Sequence, residues 1–374
     1  MKRVALIFCI LLFFLYSCQR KKGESVFLPS TELQPLTLGM LPTLDGLPFH
    51  IAKAQGIYDS LGLDLTILSF KSAYDRDAAF QSKSLDGMIT DYLSAVTQQA
   101  IHHTDLGIIL KNDGYFCFIV SKESGINQLQ ELKEKNIAVS RNTIIEYATG
   151  QLLNKAGISQ AEVNKPEITQ LPLRLQMLQY DQIDASFLPD PAASIAMNAR
   201  HRSLISTQEL GIDFTVTAFS REAINEKRRE IELLITGYNL GINYIKMHPQ
   251  KEWKQVLIEI GVPENLTGLI ALPVYRKAER PSADALDKAV TWLKTNNRIP
   301  QTYSGYKSLI DTTFIKTNIQ NAIIKKLITS WIKAPYLIAA CSTPSTGVPN
   351  FICKSEKFIL PINTPIIGIK ISLT

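Results

Sequence analysis

The chain has 374 residues and a formal net charge of +6, and that charge sits at its two ends. Residues 1–35 carry five basic side chains against Glu24 and Glu32, and residues 317–374 carry six lysines against Glu356. Residues 36–316 are left slightly acidic, so the body has no charge-based case for nucleic acid, and its single cysteine, Cys117, excludes a body disulfide or a cysteine-built metal site.

Lys2 and Arg3 precede an apolar run from Val4 to Leu15, which leads into Tyr16-Ser17-Cys18. A basic start, a short apolar stretch and a small residue at its edge read as an export signal. The run falls short of the about 20 apolar residues of a spanning helix. Its end resembles a bacterial lipobox, which implies that Cys18 becomes the lipidated first residue of the mature chain, held by more than one acyl chain. An uncleaved anchor helix is the other reading. Either places the body on the extracytoplasmic (periplasmic) face of the cell membrane, with residues 19–35 as a linker.

Leu36–Met40 reads as a strand, Pro48 as the first residue of a helix through Ala54, and Leu63–Leu68 as a second strand after Gly62. Ala78–Ser82 is helical, Gly87–Thr90 a buried strand, and Tyr92–Ala100 a helix after Asp91. Leu106–Leu110 and Phe116–Ser121 are strands joined through Lys111-Asn112-Asp113-Gly114. Ile137–Ser140 is a strand feeding a helix Ile144–Ala156, closed by Gly157. This β-α-β alternation predicts α/β architecture with parallel sheets covered by helices on both faces. From Glu222 the pattern turns helical: Glu222–Met247, Glu252–Ile260 and Ala283–Thr295. A body of this length suits two lobes better than one core.

An internal echo runs through the body. Ala79–Asp86 leads into Gly87–Asp91, and about a hundred residues later Leu175–Asp184 leads into Ala185–Pro191. Each unit is a helix, a polar turn, an apolar-Asp pair, a short strand and an Asp at a helix start. Ligands of open α/β sheets sit beyond the carboxyl ends of strands, so two such units would present two helix N-termini to one cleft.

These residues carry a family resemblance. Gln55-Gly56-Ile57-Tyr58-Asp59-Ser60-Leu61-Gly62-Leu63-Asp64-Leu65 looks like a recurring G-[YFI]-[FY]-x-x-x-G-L-x-[VL] segment of the solute-binding proteins of ABC importers. The subgroup is the one for nitrate, sulfonate, taurine and thiamine-pyrimidine precursors. Leu129–Val139 is similar to another of its stretches, with Glu134 in place of the usual glycine; the Asp86 turn, Leu188–Pro191 and Trp292–Ile315 fit the same pattern. The resemblance covers about residues 36–316. It implies a two-lobed, type II periplasmic-binding-protein-like fold whose two crossing strands act as a hinge, near Tyr115–Phe118 and Phe214–Ala218. The first lobe is then discontinuous, 36–116 and 215–316, around a second lobe of 117–214. It also implies a small-molecule ligand, permease transmembrane subunits as partners, a monomer, and no cofactor. Residues 317–374 depart from the family and read as a disordered or poorly packed basic extension, as from an altered reading frame, in which Cys341 and Cys353 have no fixed pairing.

Four loops after strands are the expected ligand contacts: Leu41–Asp45 with Thr43 and Asp45, then Thr90-Asp91-Tyr92, then Ser140-Arg141-Asn142-Thr143, and Pro189-Asp190. His50, on the first helix, joins them as a ligand residue or a half-buried surface residue. Asp91 and Asp190 read equally as plain helix caps. Tyr92, Tyr115 and Phe187 read as cavity walls or core, and Trp253 and Trp292 as packing. Thr143 with Glu146 forms a capping-box pattern, so a helix starting there offers unpaired amides to an anion, with Arg141 as a two-pronged donor. The acids Asp91 and Asp190 argue for a neutral or cationic ligand instead. No phosphate loop, H-E-x-x-H or G-x-S-x-G occurs, and His102-His103 has no third metal ligand at useful spacing. The function that the resemblance implies is solute capture without bond chemistry. An enzyme of the same fold acting on a small heteroaromatic compound, or a surface lipoprotein that does not transport, are the alternatives.

Overall fold

The computed structural model describes residues 32–315; the expected signal, Cys18 and the basic tail lie outside the described residues. Nine strands are described: β1 (Leu36–Met40), β2 (Leu65–Ser69), β3 (Gly87–Asp91), β4 (Leu106–Lys111), β5 (Phe116–Val120), β6 (Ile137–Ala138), β7 (Ala185–Pro189), β8 (Arg202–Ser206) and β9 (Thr215–Ser220). They form two sheets, ordered β2-β1-β3-β9-β4 and β6-β7-β5-β8. The chain leaves the first sheet between β4 and β5 and returns between β8 and β9. Because β9 inserts between β3 and β4, the first lobe is built from two separate stretches of sequence.

The sheets are mixed, not parallel as the alternation predicts. β1 pairs in parallel with β2 and β3, and β7 with β6. β9 runs antiparallel to β3 and β4, and β5 antiparallel to β7 and β8. A parallel pair needs a crossover, usually a helix. β5 and β9 enter their sheets from the other lobe through short crossings and so arrive antiparallel. β3 and β7 are buried along their whole lengths, as expected of strands covered on both faces.

The helices are α1 (Leu47–Ala54), α2 (Ile57–Ser60), α3 (Ala73–Gln81), α4 (Tyr92–His102), α5 (Ile144–Ala156), α6 (Leu171–Gln179), α7 (Ala192–Asn198), α8 (Arg221–Glu226), α9 (Arg228–Met247), α10 (Lys254–Glu259) and α11 (Ala283–Thr295). Gly157 closes α5 in the left-handed conformation. The single helix expected over Glu222–Met247 is broken at Lys227. The Lys227 ammonium donates to Asp86 Oδ1 at 2.7 Å and to the Pro35 carbonyl at 2.9 Å, tying the break to the start of the first sheet.

α9 lies against α1 and α2 with a glycine at each contact, Gly241 and Gly237. A Cβ on Gly237 would lie 2.1 Å from the Tyr58 ring, and one on Gly241 would lie 2.2 Å from the Pro48 carbonyl oxygen. Beneath them Phe49, Tyr58, Tyr238 and Trp253 belong to one core, with the Phe49 and Tyr238 rings 4.7 Å apart. A second core is continuous between the lobes: it joins Met88, Tyr92 and Val96 of the first to Phe118, Ile145 and Phe187 of the second, with Leu286 and Val290 of α11. At its rim Tyr147 of α5 meets Phe214 at 4.7 Å and Trp292 of α11 edge-on at 5.7 Å.

The internal echo is structural. Asp86 exchanges two bonds with Thr37 of β1, its amide donating to the Thr37 carbonyl and its Oδ2 accepting the Thr37 amide. Asp184 does the same with Asn136, just before β6. Each carboxylate therefore holds the turn into its strand against the neighbouring parallel strand.

Candidate functional site

The strand ends of both lobes face each other across a cavity of about 70 Å³, room for a few waters or one small polar group. Thr43, Asp45, Thr90 and Asp91 line it from the first lobe, and Ser140 and Thr143 from the second. Six of the sequence-predicted residues are thus brought together.

Asp91 caps α4: its Oδ1 accepts the Ser94 amide at 2.9 Å. Its Oδ2 reaches across the cleft and accepts the amide of Ile144, the first residue of α5, at 3.2 Å. Burial pushes its carboxyl up to about 6, against the lowering pull of those two amides and of Arg76. Burial likewise raises Asp45, whose Oδ1 accepts the Thr43 hydroxyl.

The anion site expected at Ser140–Thr143 is differently filled. Thr143 caps α5, accepting from the Ile145 amide at 3.2 Å and donating to the Ser140 carbonyl at 2.7 Å. Glu146 accepts from the Asn142 amide at 2.8 Å, one residue before the expected box partner. Asn142 has a left-handed φ of 58°. Arg141 stands outside the cavity, about half exposed, with its Nε 3.1 Å from Glu167. So the α5 N-terminus holds Asp91, and the arginine expected to supply an anion donor is paired elsewhere.

The other predicted residues lie off the main cavity. Burial lowers His50 to about 4, so the imidazole is neutral. Tyr92 is core: its hydroxyl accepts the Ser282 amide at 2.6 Å and its ring meets Phe214 edge-on. Asp190 lines an adjoining cavity of about 20 Å³ with Thr43, Asp45 and Tyr115. Its Oδ1 accepts from the Ser194 amide in α7, its Oδ2 accepts the Tyr115 hydroxyl, and its carbonyl accepts the Leu44 amide across the lobes. Among the described residues no three metal-ligating side chains come together, and no helix is long and apolar enough to cross a membrane.

Two charged cavity residues escaped the sequence reading, Arg76 of α3 and Arg174 of α6. Both are almost fully buried. Each occupies the apolar stripe of its helix, between Ala73 and Phe80 in one case and Leu171 and Leu178 in the other. A basic residue on such a stripe was the available signal. Arg76 is compensated: it bonds Asp77 Oδ1, the Ile89 carbonyl and Thr90 Oγ1, the last two at 2.9 Å.

A two-lobed α/β protein with a cavity between the strand ends of its lobes has the periplasmic-binding-protein fold. The family model described as NMT1/THI5 like matches residues 44–252, over half of the chain, and the chain belongs to that family. Among solved structures it is similar to the alkanesulfonate-binding protein SsuA of Xanthomonas axonopodis pv. citri bound to MOPS, at 17% identity and a TM-score of 0.63 over 73% of this chain and 96% of that one. The nitrate-binding protein NrtA of Synechocystis PCC 6803 matches at 12% identity and 0.61, over 72% and 83%. The desulfurization enzyme DSZB matches at 15% identity and 0.54, over 78% and 99%. No curated protein sequence matches the chain.

Proposed function

We propose that the protein is the extracytoplasmic solute-binding component of an ABC importer, a monomer that captures a small organic molecule between its lobes and passes it to the permease subunits. Its ligand is a sulfonate- or nitrate-like anion or a thiamine-pyrimidine precursor. The observation that carries this reading is the cavity lined by strand ends and helix N-termini of both lobes, and the fold relatives, an alkanesulfonate-binding and a nitrate-binding protein, support it. A thermal-shift screen of small sulfonates, nitrate and aminopyrimidines tests it, since a solute at 100-fold over Kd adds about 2.7 kcal/mol of stability. No stabilising solute would remove it.

Ligand capture is expected to close the cleft, with the crossings near Tyr115–Phe118 and Phe214–Ala218 absorbing the dihedral change. Small-angle scattering should show a smaller radius of gyration at saturating ligand. An unchanged radius would end the closing-cleft mechanism.

The anchor proposed at Cys18 has its own test. Cys18→Ser should remove lipidation and leave precursor unprocessed, read by metabolic labelling with a fatty-acid analogue. Full labelling of the variant would show that Cys18 is not the modified residue.

An enzymatic reading is favoured by the likeness to DSZB. Against it, the described side chains lining the cavity include neither histidine nor cysteine. The one cysteine among the described residues, Cys117, is pushed up to about 11 by burial, far from a reactive thiolate. Turnover assays on small heteroaromatic sulfur compounds separate the two.

A further inference from the structure

The two arginines of the cavity are equivalent positions of the internal repeat. Arg76 lies ten residues before Asp86, and Arg174 ten before Asp184. Both aspartates make the same pair of bonds to the neighbouring strand, so the register of the two units agrees in space as well as in sequence. One arginine therefore enters the cavity from each lobe.

Their surroundings differ, beginning with the residue that follows each arginine. In the first lobe Asp77 follows Arg76 and binds its Nε at 2.9 Å and its Nη2 at 2.6 Å. In the second lobe Leu175 stands at that place. Arg174 donates through Nη1 to the Ile168 carbonyl at 2.8 Å, and its Nε is buried with no partner. Among the described residues no carboxylate pairs with it. With 3% of its surface exposed, it is a buried cation without a counterion, an arrangement that is costly unless something else supplies the charge. The acids of the cavity are already engaged, Asp91 with two amides and Asp45 with Thr43.

We infer that Arg174 is the anchor for the charged group of the ligand, and that the ligand is a monoanion with a compact oxyanion head such as a sulfonate or nitrate. The inference rests on the binding-protein reading and decides between its two ligand classes in favour of the anion. A guanidinium presents paired N–H donors in a fixed fork, which matches two oxygens of such a head. The cavity of about 70 Å³ has room for such a head. Burial lowers Arg174 to about 10, which leaves it charged at neutral pH.

Calorimetric titration of the full chain tests this with ethanesulfonate, nitrate, ethyl methyl sulfone as a neutral near-isostere, and an aminopyrimidine. The wild type should bind one of the anions and not the sulfone. Arg174→Gln, which keeps a donor for the Ile168 carbonyl, should weaken that anion at least tenfold with its melting temperature kept. Arg174→Lys should retain more affinity than the glutamine variant, and it decides the matter if the glutamine variant does not fold. Arg141→Ala should change affinity less than twofold. Anion binding that survives Arg174→Gln, or that falls with Arg141→Ala alone, overturns the assignment. A wild type that takes only the aminopyrimidine overturns it too, while leaving the binding-protein reading in place; one that binds no solute ends both.

Discussion

Gly241→Ala should destabilise the protein by about 2–3 kcal/mol, although the same exchange in an unconstrained helix interior stabilises by up to about 1 kcal/mol. Gly241 lies in the middle of α9, so helical propensity alone favours alanine. The new methyl, however, would stand 2.2 Å from the carbonyl oxygen of Pro48. That oxygen is backbone and belongs to the first turn of α1, so it has no rotamer by which to retreat. Only separation of the two helices relieves the overlap, and this loosens the packing of Phe49 against Tyr238 beneath. Gly150→Ala is the control. It too is buried in a helix, but its Cβ would meet only side-chain atoms, Gln160 Nε2 at 3.4 Å and Trp292 Nε1 at 3.7 Å. It should be neutral or slightly stabilising. Urea unfolding of both variants against the wild type reads the difference, and a Gly241→Ala variant as stable as Gly150→Ala would show that the α1–α9 approach is looser than described.

The second large effect concerns pH. The Asp91 carboxyl loses its proton near 3.8 in an unfolded chain and near 6 in the folded one, because burial disfavours its charge. Between those values the folded state holds the extra proton, so stability due to this group is complete below about pH 4 and is lost as the pH rises through 6. The total is on the order of 2–3 kcal/mol. Arg76 facing the carboxylate reduces the loss and Asp77 adds to it. Carboxylates held low by their partners, among them Glu162 and Asp311, act in the opposite direction, so the whole-protein curve mixes both signs. Asp91→Asn isolates the contribution. Its oxygen can still accept the Ser94 amide, but its NH₂ faces the Ile144 amide, and that loss is independent of pH. Relative to the wild type the variant should gain about 2–3 kcal/mol between pH 4 and pH 7.5. A difference that stays flat over this range would mean that Asp91 titrates as an ordinary exposed acid.

Local signals carried much of this fold. β1, α5 and α11 begin and end where apolar spacing places them, with Thr143 and Gly157 bounding α5, because caps and periodicity act within a few residues. The repeat was also legible, since it is written twice in the same order. Strand direction was not: whether β5 and β9 run with or against their neighbours depends on where the chain comes from, and no residue in either strand encodes that. The site divided along the same line. Asp91 was found because a cap after a strand has one place to be. Arg141 was chosen because it stands in the right loop, but loop position does not say which way a side chain leaves, and Glu167 draws it outward. Arg174 was missed for the reverse reason. It hides on an apolar helix stripe, where spacing marks a residue as buried without saying that the burial ends at a cavity.

The edge-on contact between Tyr147 and Trp292 joins a helix of the second lobe to the C-terminal helix of the body. An indole held there makes its emission a gauge of the distance between lobes: parting them would strip the phenol from one side and admit water. Trp253 sits within the first lobe's own core, its ring nitrogen donating to the His248 carbonyl at 3.2 Å, and provides a fixed reference in the same spectrum. With the third tryptophan, Trp331, replaced by phenylalanine, the protein thus carries its own optical record of cleft geometry, with no dye attached.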